Sequence, residues 1–141
     1  MTVKTTALLA LLAAFSLPAY ADIPAALQGK WVGYDGKTLN AAELRRYCSG
    51  QVSDESVIDA TVARNGFSTG NIGGGYAVDR LQLSTRTANR VAGVGRMIAS
   101  YEDDSQDPPK RSRFDLRLDG NKLVVAADWI DGRAVYQRCP R

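Results

Sequence analysis

From Arg113 to Trp129 the chain alternates apolar and polar residues with a period of two, and this pattern restricts the fold more than any other. Phe114, Leu116 and Leu118 fall on one side and Arg113, Asp115, Arg117 and Asp119 on the other. After Asp119-Gly120 the alternation resumes with Leu123, Val125, Ala127 and Trp129. Successive side chains of a strand point to opposite faces, so the segment predicts two half-buried strands joined by a tight turn. A lone hairpin is marginal in water, so the apolar face demands further strands of the same kind.

Those strands are visible upstream. Ile58, Ala60 and Val62 oppose Asp59 and Thr61, and Asn65-Gly66 is a strong hairpin signal leading into Phe67 to Ile72. Gly73-Gly74-Gly75 breaks the regularity before Tyr76 and reads as a flexible hairpin tip; Leu81 and Leu83 then alternate with Arg80, Gln82 and Ser84. A turn near Ala88-Asn89 leads to a strand from Val91 to Tyr101, where Gly93 and Gly95 point to a bend or a close approach of backbones. Residues 102–111 are charged and proline-bearing, and are expected as a long exposed loop. A first strand runs through Trp31 to Asp35-Gly36, and a last one follows Asp131-Gly132 from Val135 to Cys139.

One helix interrupts the series. Asn40 stands at an N-cap with Glu43 three residues on, and Leu39 and Leu44 occupy the positions of a hydrophobic staple. The helix is expected to stop near Cys48-Ser49-Gly50. About eight hairpin-linked strands and one short N-terminal helix predict an all-β fold, either a small antiparallel up-and-down barrel or a curved meander. A parallel sheet would need helical crossovers, which the pattern does not offer.

Ahead of the strands, Lys4, an apolar run from Ala7 to Leu17 and Pro18-Ala19-Tyr20-Ala21 follow the order of a cleavable signal peptide. The expected product is a single barrel domain over 22–141, periplasmic or secreted, with no transmembrane segment after cleavage. The residue directly after the cut is Asp22 and not a cysteine, which argues against a lipid anchor. In an oxidising compartment the two cysteines, Cys48 and Cys139, are expected to form a disulfide closing a loop of about 90 residues. The net charge of +3 falls by one with Lys4, too little to suggest a nucleic-acid partner.

The chain has no histidine, so Ser-His-Asp and Cys-His chemistry is excluded and the commonest metal ligand is missing. No cofactor and no metal are expected, and an enzyme is not the favoured reading. Seven arginines (80, 86, 90, 96, 111, 113 and 117) lie on neighbouring strands. They either pair across strands with Asp79, Asp115 and Asp119 or gather to meet an anionic polysaccharide, lipid headgroup or acidic protein.

Gly29-Lys30-Trp31 resembles the G-x-W signature that opens lipocalins and related small barrels. The resemblance implies that Trp31 closes one end of the barrel against an arginine of the last strand, here Arg138 beside Cys139, and that a small apolar ligand occupies the interior. Space for it would come from small inward residues, Ala60, Gly93, Gly95 and Ala127. Trp31, Tyr76 and Trp129 are the candidate ligand contacts, although both tryptophans also suit a core. Ser68 to Tyr76 resembles the Ser/Gly-rich loop and following tyrosine of periplasmic lysozyme inhibitors. That implies an alternative role, inhibition of a lysozyme or protease through segments 66–76 and 102–111. Gly73, Gly74, Gly75 and Arg111 are then the candidate contacts to an envelope protein.

Overall fold

A computed structural model describes residues 22–52 and 54–141; the expected leader and its cleavage site lie outside them. After a single 3-10 turn at Ala25–Leu27, the elements are β1 (Gly29–Tyr34), α1 (Ala41–Cys48), β2 (Val57–Val62), β3 (Phe67–Asn71), β4 (Gly74–Thr87), β5 (Arg90–Tyr101), β6 (Lys110–Asp119), β7 (Lys122–Ala127) and β8 (Ala134–Arg138). Every strand pairs antiparallel with the next and β8 returns to β1, so the sheet is a closed up-and-down barrel, not an open meander.

The alternation in β6 and β7 works as the pattern requires. Phe114 pairs with Ala127, Leu116 with Val125 and Leu118 with Leu123, all inward, while Arg113, Asp115 and Arg117 face water. The same inward set continues through Ile58, Ala60, Val62, Phe67, Val78, Leu81 and Val91 to form one core. The turns after β1 and β7 use residues with positive φ, at Asp35 (50°), Gly36 (67°) and Gly132 (74°).

One end of the barrel is plugged. Trp31 is fully buried, its Nε1 donating to the Leu27 carbonyl at 3.1 Å, and Ile23 and Leu27 pack in the same cluster. The Arg138 guanidinium lies 4.1 Å from the Trp31 ring centroid and donates to the carbonyls of Gln28 (2.8 Å) and Ala26 (2.5 Å). The last strand thus places its arginine on the tryptophan of the first, as the resemblance implies. A cation over an indole face is worth roughly 0.5–2 kcal/mol.

Helix α1 packs outside the barrel. Its cap forms as expected, with Asn40 Oδ1 accepting from the Glu43 amide at 2.9 Å. Leu44, Tyr47 and Cys48 cover Val32, Leu39 and Cys139 in a second, smaller apolar cluster. The Cys48–Cys139 disulfide, spanning 91 positions with a Cα–Cα distance of 5.7 Å, fastens the helix to the end of β8.

Several expectations are corrected. Gly74 and Gly75 are not a loose tip but the first residues of β4, paired with Tyr101 and Ser100 on one side and Asn71 and Gly70 on the other. A Cβ on Gly74 would collide with the Ser100 carbonyl, and one on Gly75 would stand 2.7 Å from that of Thr69. Close backbone packing, not flexibility, explains these glycines. Arg111 lies within β6, not in the loop, opposite Arg96. Trp129 lies past the end of β7, in the turn toward β8. Asn65 and Gly66 adopt no left-handed conformation; Arg64 and Asn65 form the tip, where the Arg64 carbonyl accepts from the Ile23 amide at 2.7 Å. Finally, Gly95 opens no space inside the barrel. A Cβ on Gly95 would lie 2.6 Å from Val78 Cγ1 and 3.1 Å from Leu81 Cδ2, so those side chains already fill its place.

Replacing both cysteines (C48A/C139A) should lower unfolding stability by about 2–4 kcal/mol while leaving the far-ultraviolet spectrum of the barrel intact. Urea titration measures this, and an unchanged midpoint would show that the bridge contributes nothing to closure.

Candidate functional site

An up-and-down barrel sends alternate connections to opposite ends, and this sorts the candidate residues. The β2–β3 turn around Gly66 joins the plugged end, whereas Ile72-Gly73, residues 102–109 and residues 128–133 all rim the other. The segment 66–76 therefore spans the whole height of the barrel and is not one contact surface. Trp31 lies at the plug, out of reach of the open end; Tyr76, Trp129 and Gly73 to Gly75 meet there. Arg111 lies on the outer face of β6 beside the rim.

The open end holds a cup of about 430 Å³. Its aromatic wall starts in the core: Phe114 meets Phe67 edge-on (centroids 5.2 Å apart), Phe67 stacks with Trp129 (6.1 Å), and Trp129 with Tyr76 (5.3 Å). The indole is fixed by its Nε1, which donates to Thr69 Oγ1 at 3.1 Å, and Thr69 is itself buried. Ile58, Ile130, Ala99 and Ala134 complete the apolar lining, and backbone at Gly70 and Gly73 to Gly75 forms the wall between Thr69 and Tyr76.

Tyr136 lines the same cup with only 2% of its surface exposed. Burial raises its phenol well above the usual tyrosine range, so the hydroxyl stays neutral. It is a donor set among apolar walls, the arrangement by which small-molecule sites orient a ligand. Sequence reasoning missed Tyr136, Thr69 and Tyr101. The alternation of β8 was the available signal for Tyr136, since it is the inward neighbour of the outward Gln137.

The rim is tied down. Tyr101 donates its hydroxyl to Asp107 Oδ2 at 2.5 Å, the Asp107 amide donates to the Ala99 carbonyl at 3.1 Å, and the Asp104 amide to that of Tyr101 at 3.0 Å. The expected long loop is thus folded back onto the end of β5. Ile72 and Tyr101, 50% and 46% exposed, both project from this rim. The turn bearing Trp129 is anchored by Asp128, which accepts from the Arg113 amide at 2.9 Å and from its Nε at 3.3 Å. That amide bond, more than the arginine charge, holds the Asp128 carboxyl below its usual range.

Of the arginines on β4 to β6, Arg96 pairs with Asp79 and Arg90 with Asp115, each at 2.6 Å, and Arg113 with Asp128 at 3.3 Å. Cross-strand pairing accounts for the first two, and the third ties β6 to the turn after β7. Among the described residues, no ion pair reaches Arg80, Arg111 or Arg117. No family model matches this chain, and neither the curated proteins nor the solved structures compared with it include a match.

Asp79 and Asp128 both titrate below an unfolded carboxylate, whose pKa is about 3.9. Their stabilisation is therefore complete above that value and is lost as pH falls through the folded pKa. The thermal midpoint of the wild type should drop as pH is lowered from about 5 to about 2.5, and that of D128N should drop less. Equal slopes in the two proteins would remove Asp128 as an anchor of the Trp129 turn.

Proposed function

We propose that this protein is a non-enzymatic binding protein of the cell envelope, lipocalin-like in shape, which holds a small apolar ligand with a flat ring in the open end of its barrel. The observation that carries this reading is the cup itself. Apolar side chains fill the barrel from the Trp31 plug upward, yet about 430 Å³ remains where Tyr76, Trp129 and Tyr136 converge. That volume and lining fall within the range of small-molecule sites. Aromatic rings at the wall favour a planar ligand that stacks on the face of Trp129 or Tyr76, and the neutral Tyr136 hydroxyl favours one acceptor atom at its inner end. A disulfide across the barrel seam fits an oxidising compartment, as export would provide. The preference for binding over catalysis rests on a chain without histidine.

The rim supports a second reading, a hydrolase inhibitor or other partner-binding module. Ile72 in the β3–β4 turn and Tyr101 at the end of β5 are exposed large apolar side chains at the open end of the barrel, where a partner could meet them. In that case ligand and partner would compete for one end of the barrel.

Binding of N-phenyl-1-naphthylamine, an uncharged fused-ring probe, should be saturable and one-to-one by calorimetry. W129A should weaken it about tenfold, the loss of one stacked aromatic face, and W31F should leave it unchanged. Equal weakening by both substitutions, or no saturable binding to the wild type, would defeat the proposal.

A further inference from the structure

We infer that the ligand of this cup is an amphipathic anion, with its flat apolar body on Trp129 and its anionic head (a carboxylate, sulfonate or phosphate) on Lys110 and Arg111. The inference deepens the reading of the cup as an apolar site and rests on it. A second cavity, of about 330 Å³, shares Tyr76, Ala99, Tyr101 and Trp129 with the cup and is also lined by Lys110 and Arg111. A third, of about 290 Å³ on the outer face of the barrel, includes the same two cations with Arg80 and Arg96. Apolar cup, mixed mouth and basic groove are thus neighbours, each sharing lining residues with the next.

Charge in the mouth is unevenly satisfied. Of its two carboxylates, Asp128 is paired with Arg113, accepting from its amide and guanidinium, whereas Asp107 accepts the neutral Tyr101 hydroxyl and keeps its charge. Lys110 and Arg111 are exposed, and among the described residues no ion pair reaches either. Arg111 also stands directly opposite Arg96 across β5 and β6, a like-charge cross-strand pair that is unfavourable by itself. Asp79 accepts from Arg96 with both oxygens, at 2.8 and 2.6 Å, so it offsets the charge of Arg96 and leaves Arg111 without a carboxylate of its own. An anion resting on Lys110 and Arg111 would receive charge-assisted hydrogen bonds from two cations that no carboxylate pairs among the described residues.

Two probes with one body test this directly: 1-anilinonaphthalene-8-sulfonate and N-phenyl-1-naphthylamine share the arylamine rings and differ by the sulfonate. At low salt the wild type should bind the sulfonate at least about tenfold more tightly, and added salt should shrink the difference. Lys110→Gln with Arg111→Gln should abolish that advantage and leave the affinity for the uncharged probe within about twofold, both side chains being on the surface. Equal affinities in the wild type, or an advantage that survives the double substitution, would overturn the anionic head and leave the apolar cup standing. Failure of the uncharged probe to bind would overturn the cup and this inference together.

Discussion

Closure of the barrel between its first and last strands is the constraint on which the rest depends. That seam is short: only Trp31 with Arg138 and Val32 with Gln137 are in register between β1 and β8. Unpaired strand edges invite association with other chains, and a sheet with an open seam would present two. Side chains extend what the backbone begins. The Cys139 amide donates to the Lys30 carbonyl at 2.9 Å, Gln137 accepts from the Leu39 amide at 2.6 Å and donates to its carbonyl at 3.3 Å, and the disulfide holds α1 over the outside of the joint. On the inside, Arg138 rests on Trp31. Each of these contacts joins residues about 90 or more positions apart, or the segment just after β1 to β8, so they act on closure and not on local structure.

Because closure is concentrated at the Trp31 end, the barrel is filled from that end. Trp31, Leu27 and Ile23 plug it, and the aliphatic core follows above. Beyond Phe67 and Phe114 the packing changes character. Trp129 is not on a strand, so it leans across the top of the core onto Phe67 and Tyr76 without filling the space beside them. Glycine backbone, which contributes no side-chain volume, forms part of the opposite wall. The cup is therefore a consequence of where side chains run out, at the end the plug does not govern. Lys110 and Arg111 begin β6 at that same end, which brings positive charge to its edge.

Features set by neighbours in sequence were readable in advance. Asp35, Gly36 and Gly132 supply positive φ, Asn40 supplies a cap oxygen, and the period-two alternation of β6 and β7 assigns inside and outside. Two lone cysteines implied their own pairing. What was not readable is set by contacts between distant strands. Gly74 and Gly75 look like a flexible tip because a glycine carries no alternation signal, yet the carbonyls of Ser100 and Thr69 are what forbid a side chain there. Val78 and Leu81 both face inward although an odd number of positions separates them, because a bulge at Arg80, with φ of 49°, shifts the register of β4. The cup was legible only as a list of aromatics. Its assembly needed the strand order, which puts Trp31 at one end and Tyr76, Trp129 and Tyr136 at the other.

One end of this barrel is sealed by Trp31, and the other is proposed to receive a ligand. The two tryptophans report on the two ends, so a nitrogen-15 chemical-shift titration with N-phenyl-1-naphthylamine tests it most directly. Saturable shifts of the Trp129 indole N–H and of the Gly73 to Gly75 amides are expected, with the Trp31 indole N–H unmoved. Shifts centred on Trp31, or none that saturate at either tryptophan, would contradict the proposal.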